Sequence, residues 1–117
     1  MKRDDDLIRQ LLMEFEAASH WELEFVSTMG MPENDEKALY HVLLLEDQGL
    51  VVSKHEGVYR LTSQGHDFLQ AIRNDGIWAR TKAAVAEEGG NATLAILRDL
   101  ATGFLKKQIS DKTGVQL

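Results

Sequence analysis

The stretch from Glu33 to Phe68 leaves this chain few choices of fold. Ala38, Leu39, Val42, Leu43 and Leu45 recur at the spacing of one helix face, and the pattern stops at Glu46-Asp47-Gln48-Gly49-Leu50. Gly49 suits the left-handed position that closes a helix, because a residue without Cβ enters it at no steric cost. Leu50-Val51-Val52-Ser53 and Gly57-Val58-Tyr59-Arg60-Leu61 then flank Lys54-His55-Glu56, the pattern of a β-hairpin with a small polar tip. Thr62-Ser63-Gln64-Gly65 opens another helix, with Thr62 as its cap and Phe68, Leu69 and Ile72 on its apolar face. Helix, glycine stop, hairpin and capped helix follow one another as in the second half of a winged helix-turn-helix. The sequence therefore predicts an α+β fold, a winged helix-turn-helix-like domain with a C-terminal helical extension.

The flanking segments fit that frame. Leu7, Ile8, Leu11, Leu12 and Phe15 mark one face of a helix over residues 3–17. Asp4, Asp5 and Asp6 suit its first turn, where carboxylates cap free N–H groups and oppose the positive end of the helix dipole. A metal cluster is the weaker reading of the same three residues. Trp21-Glu22-Leu23-Glu24-Phe25-Val26-Ser27 begins with the alternation of a strand, expected to pair with the edge of the later hairpin. Residues 28–32 form a loop, and Asn34 or Asp35 is the expected cap of the helix that follows. After residue 72 the apolar stripe changes side: Ile77, Trp78, Thr81 and Val85 lie about half a turn from Phe68, Leu69 and Ile72. One straight helix would need two opposite buried faces, so a break is expected at Asn74-Asp75-Gly76. A last helix starts at Asn91 or Thr93 and frays after Ser110. The domain boundaries read from this are 1–75 for the winged helix, 76–110 for the helical extension and 111–117 for a tail. The predicted core joins Leu39, Val42, Leu43, Leu45, Leu61, Phe68, Leu69 and Ile72 to Leu7, Ile8 and Leu11.

Composition narrows the function more than the fold. Hydrophobic content of 44% argues against a disordered chain. No apolar run approaches a membrane span, and Met1-Lys2-Arg3-Asp4-Asp5-Asp6 is no signal peptide, so a cytoplasmic protein without membrane attachment is expected. With no cysteine there is neither a disulfide framework nor a thiolate metal site. His20, His41, His55 and His66 fall on separate segments and form none of the paired spacings that zinc uses. No phosphate-binding glycine loop or nucleophile elbow is present, so no catalytic residue, metal or cofactor is assigned.

The binding candidates follow from the fold. Asn34, Lys37, Tyr40 and His41 lie on the more polar side of the candidate recognition helix, and Lys54, His55 and Arg60 lie in the wing. These residue types suit base edges and phosphates of double-stranded DNA. They serve equally on a surface that binds a host or phage protein, or on a plain solvated face. The charge balance weighs against DNA. The chain carries a net −6, and residues 34–48 hold Asp35, Glu36, Glu46 and Asp47 against Lys37 alone. In the last helix, Leu94, Leu97, Leu100, Ala101, Phe104 and Leu105 share one face, which predicts a homodimer contact over residues 93–109.

Several motifs together resemble one family. They are Lys2-Arg3-Asp4-x-Asp6-Leu7-Ile8-Arg9, Tyr40-His41 followed by Leu44-Leu45-Glu46, Gly49-Leu50, Leu61-Thr62-x-x-Gly65-His66-x-Phe68-Leu69, and Ala71-Ile72-Arg73-x-Asp75-x-Ile77-Trp78 followed by Thr81-Lys82. The combination is similar to an uncharacterised bacterial and phage family catalogued as domain of unknown function number two-five-one-three. The resemblance spans nearly the whole chain. It implies a winged-helix-like protein from phage or prophage genomes and no defined activity, substrate or cofactor. Tyr59-Arg60-Leu61-Thr62-x-x-Gly65 is also similar to the wing-to-helix junction of winged-helix transcription regulators. Residues 18–32 depart from those regulators, because a strand and a loop replace the short helix before the recognition helix. A DNA-binding or transcription-regulatory protein is the first expectation, and a winged-helix protein-interaction module that does not bind DNA is the alternative.

Overall fold

The structure, a computed structural model, describes residues 1–117. It is an α+β protein with five helices and one three-stranded antiparallel sheet. The chain forms two compact units, residues 1–69 and residues 70–117.

In the first unit, helix α1 spans Asp5–Ala17. The Asp4 carboxylate accepts from the Leu7 amide at 3.2 Å, and Asp5 and Asp6 fill the first turn, so the acidic start does the capping expected of it. Ile8, Leu11, Leu12 and Phe15 are the buried face. Strand β1 covers only Glu22–Glu24, shorter than the 21–27 expected. Past Glu24 a single bond continues the ladder, from the Phe25 amide to the Gly57 carbonyl at 2.7 Å, and the chain then turns into the loop. Helix α2 spans Glu33–Asp47, starting two or three residues earlier than an Asn34 or Asp35 cap would give. Pro32 precedes it, which suits a residue with fixed φ and no N–H to satisfy. Strands β2 (Val51–His55) and β3 (Val58–Leu61) form the hairpin, and the sheet order is β1-β3-β2. β1 therefore pairs with the hairpin edge, as its alternation predicts. Val51, Tyr59 and Leu61 point inward and are buried, while Val52 and Arg60 point outward.

Two junctions fix the hairpin. At the end of α2, Gly49 adopts φ 70° and donates to Glu46 O at 2.9 Å, while Leu50 donates to Leu45 O at 2.9 Å. This paired closure satisfies carbonyls that the helix end would otherwise leave open. At the start of helix α3 (Ser63–Ile72), Thr62 Oγ1 accepts the Gly65 amide at 3.0 Å and donates to Gly49 O at 2.5 Å. The Thr62 amide also donates to Leu50 O at 3.1 Å. One threonine thus caps α3 and clasps both ends of the hairpin.

α1 packs on α2 and β3, and α2 packs on β2. Ile8, Leu11, Val42, Leu45, Leu61, Phe68 and Leu69 are buried as expected, and Leu7 and Leu39 are half-buried. Leu43 is the exception at 39% exposed. α2 already buries Val42, Leu45 and His41, and the direction of Leu43 falls outside that stripe. Phe25 joins the loop to this core, its ring 5.7 Å from Phe15 and 6.4 Å from Tyr59.

In the second unit, helices α4 (Asp75–Glu87) and α5 (Leu94–Thr113) pack on each other. Asn74 caps α4 by accepting the Ile77 amide at 2.9 Å, so the helical break falls where the apolar stripe changes side. Ile77, Trp78 and Thr81 are buried. Thr93 caps α5, which continues through Ser110 to Thr113 and ends at Gly114 with φ 74° rather than fraying at residue 110. No helix is long and apolar enough to cross a membrane.

Candidate interaction surface

The side chains expected to read DNA from α2 are not presented together. His41 is fully buried. Its Nε2 accepts the Asp4 backbone N–H at 2.8 Å, which leaves Nδ1–H to donate to the Lys37 carbonyl at 2.8 Å. These partners require the neutral ring with its proton on Nδ1. Lys37 is committed as well: its Nζ donates to Asp4 Oδ2 at 3.0 Å. That hydrogen bond, together with the Leu7 amide and the Lys37 charge, holds the Asp4 carboxyl below the usual carboxylate range against the opposing effect of burial. His41, Lys37 and Asp4 thus clamp the start of α1 to the middle of α2. Of the four candidates on α2, Asn34 and Tyr40 remain exposed.

The wing candidates also sit differently from the sequence expectation. The turn is Glu56-Gly57, with Gly57 at φ 78°, so Lys54 and His55 belong to strand β2 rather than to the tip. An irregularity between Ser53 and His55 shifts the register there, pairing His55 with Val58. Lys54 lies over the Trp21 ring, 5.3 Å from its centroid, and Trp21 itself is 62% exposed. Arg60 is half-buried, donates to its neighbour's carbonyl at 2.9 Å and stands directly across the ladder from Glu22. The wing therefore offers Lys54 and His55 as exposed polar groups, with acidic residues beside them.

The exposed side of α2 has a different character. Glu33, Asp35, Glu36 and Asp47 are exposed, and between them stand Tyr40 at 38% and Leu43 at 39%. The loop before the helix adds Val26 and a wholly exposed Met29. Two grooves open on this side. One, of about 430 Å³, runs between the loop and α2 and is lined by Met31, Leu39, Tyr40 and Leu43 among others. A larger one, of about 770 Å³, runs between α1, the loop and α2 and shares Thr28, Met31 and Leu39 with the first. Neither groove is evident from the sequence. Both depend on the loop from Phe25 to Met31 lying where a further helix was absent from the pattern, and on α2 turning Leu43 outward.

In the second unit the predicted contact face divides. Leu94, Leu97 and Ala101 are buried, and Leu100, Phe104 and Leu105 are half-buried, so half of the face is already used within the chain. Arg80 covers the Phe104 ring at 4.4 Å. The exposed side of α5 carries Ile96 at 48% exposed, Asp99, Gly103 and Lys107, next to the half-buried Leu100 and Phe104. No three histidine, aspartate or glutamate side chains come together as a metal-ligand set.

The chain belongs to the family described as Hypothetical protein (DUF2513), which it matches over residues 2–91. The match takes in the first unit from its second residue, and α4, and ends before α5. An uncharacterised protein of Haemophilus influenzae (strain ATCC 51907 / DSM 11121 / KW20 / Rd) is 27% identical over 118 residues, covering 94% of this chain and 100% of that protein. No solved structure matches.

Proposed function

We propose that this family member is a protein-interaction module, built on a shortened winged helix and without a catalytic role, whose contact face is α2 with the loop over residues 25–31. The order α1-β1-α2-β2-β3-α3 and the sheet order β1-β3-β2 support the winged-helix reading. The stretch between β1 and α2, where a helix-turn-helix carries its first helix, holds a loop. The observation that carries the functional reading is the makeup of α2's outer side. Its cation is tied to Asp4, its histidine is buried, and what it presents is carboxylates around Tyr40 and Leu43. Phosphates repel such a surface, and DNA readers need cations at this position. An exposed aromatic and aliphatic pair within a polar rim is the composition of a protein contact.

The test is a photo-crosslinking amino acid placed at Tyr40, at Leu43 or at Lys54, with the protein in its native cell. Discrete protein adducts from positions 40 and 43, absent from position 54, are expected. Adducts to nucleic acid, or salt-dependent binding of random duplex DNA by the purified chain, would replace this reading with the DNA-binding one.

A second contact, between two copies of the chain, is supported by the outer side of α5. Asp99 and Lys107 stand four residues on either side of Gly103, so two α5 helices crossing antiparallel at Gly103 would set each Asp99 against the partner copy's Lys107. Beyond α5's own neighbouring backbone, no atom lies within 4 Å of a Cβ built on Gly103, which leaves room for a close crossing. This face keeps Leu100 and Phe104 from the one expected from sequence and leaves out the buried Leu94, Leu97 and Ala101.

A further inference from the structure

The larger groove on the first unit combines an apolar floor with a rim of one charge. Leu7, Leu11, Phe25, Met31 and Leu39 line it from α1, the loop and α2. Asp6, Glu14, Glu24 and Asp35 stand around it. The cation lining the groove, Lys37, is already paired with Asp4, and the exposed carboxylates Glu14, Glu24 and Asp35 give the rim a negative potential. Low-dielectric walls and charges of a single sign concentrate that potential inside the cleft. The chain's net −6 is thus not spread evenly, and a good share of it faces one concavity.

We infer that this groove is a docking site for a cationic amphipathic segment of a partner protein, one that lays apolar side chains on the floor and lysine or arginine against the rim. The inference rests on the protein-interaction reading and names the chemistry of the partner. Charge complementarity selects the occupant. An acidic segment, or a second copy of this acidic chain presenting the same rim, would bring like charges together, whereas a basic one gains attraction on approach and register when seated. The floor supplies what charge alone does not: Leu7, Phe25, Met31 and Leu39 are only half-buried, so covering them removes apolar surface from water. The long stems of lysine and arginine can lie on the floor while their charged ends reach the carboxylates.

The probes are three labelled peptides of equal length, made of leucine and lysine, of serine and lysine, and of leucine and glutamate, the first and last with helical apolar spacing. They are titrated into the full chain, with amide chemical shifts mapping the site. The leucine–lysine peptide is expected to bind, to shift amides around residues 7, 11, 25, 31 and 39, and to weaken as salt rises. The serine–lysine peptide should bind about tenfold or more weaker, for want of the floor, and the leucine–glutamate peptide should not bind. The triple variant Glu14→Gln, Glu24→Gln, Asp35→Asn changes solvated side chains and should lose about tenfold, whereas Glu87→Gln with Glu88→Gln in the second unit should change nothing. Equal losses in both variants would mean attraction to net charge only and would overturn the proposal, as would shifts mapping elsewhere or no binding. If the peptides fail while Tyr40 and Leu43 still crosslink to protein, the partner's chemistry is wrong and the interaction reading stands. If those crosslinks fail as well, both fall.

Discussion

Glycine-to-alanine changes in two helices of this chain should have opposite signs, and the structure says why. A Cβ at Gly65 would lie 2.0 Å from the Leu50 carbonyl oxygen and 2.9 Å from Leu61 Cδ2, against 3.4 Å for an ordinary contact. The obstacle is backbone, and that same carbonyl accepts the Thr62 amide at 3.1 Å, so moving it pulls on the clasp that closes the hairpin. Crowding of this kind costs about 1–3 kcal/mol or more when the neighbour cannot yield. The helical preference of alanine over glycine returns about 1 kcal/mol at most. With a rigid neighbour the upper part of the range applies, so Gly65→Ala should lose about 2 kcal/mol. At Gly103, inside α5, nothing beyond the helix's own neighbouring backbone lies within 4 Å of the added methyl. There only the propensity acts, and Gly103→Ala should gain about 0.5–1 kcal/mol. Urea unfolding at low protein concentration measures both, read as shifts in midpoint at constant slope. A Gly65→Ala midpoint equal to or above the wild type would refute the close approach of α3 to Leu50 and the reasoning built on it.

Replacing His41 with Leu keeps the volume but strands the Asp4 N–H, so it should cost about 1–3 kcal/mol and speed hydrogen exchange at the Asp4 amide. Unchanged stability would show that the ring merely fills space. Asp4 titrates below its ordinary value of 3.8 in the folded chain, so its ionised form adds stability that is complete above the unfolded value and is lost as pH falls through the folded one. Asp4→Asn keeps the cap and removes the charge. It should therefore be less stable than wild type by about 0.5 kcal/mol near neutral pH, this partner pair being more than one-third exposed, with the gap closing in acid. A gap that stays constant down to low pH would contradict this. Ile96→Glu should leave a folded chain and turn a wild-type dimer into a monomer by sedimentation, and a wild type that is already monomeric at high concentration would remove the α5 contact.

What could be read from the sequence was the part governed by neighbours along the chain. Gly49 and Thr62 act within a few residues of themselves, as helix stop and helix cap, and Asn74 marks the break because an apolar stripe cannot change side on one straight helix. His41 was misread because its partner, Asp4, lies 37 residues away, and nothing in the local pattern of α2 distinguishes a buried histidine from an exposed one. Leu43 was misread for a related reason. Apolar residues at 39, 42, 43 and 45 span more of the helix circumference than one packed face can bury, and tertiary packing chose which to leave out. Lys54 and His55 were placed at the tip because their polarity suggested a turn. The better signal was Glu56-Gly57, since only Gly57 tolerates the positive φ found there. The grooves were not legible, because they arise from a loop and two helices that meet only in three dimensions.

The Thr62 clasp also bears on the order in which the first unit assembles. It joins residues 13 apart, Gly49 and Thr62, so the end of α2, the hairpin and the start of α3 can close on one another at small cost in chain entropy. β1 pairs with the same hairpin from much farther along the chain, with Glu22 opposite Arg60. The hairpin and its clasp should therefore be formed in the folding transition state and β1 added after it. Substitutions at Thr62 would then slow folding, while substitutions at Leu23 would chiefly speed unfolding.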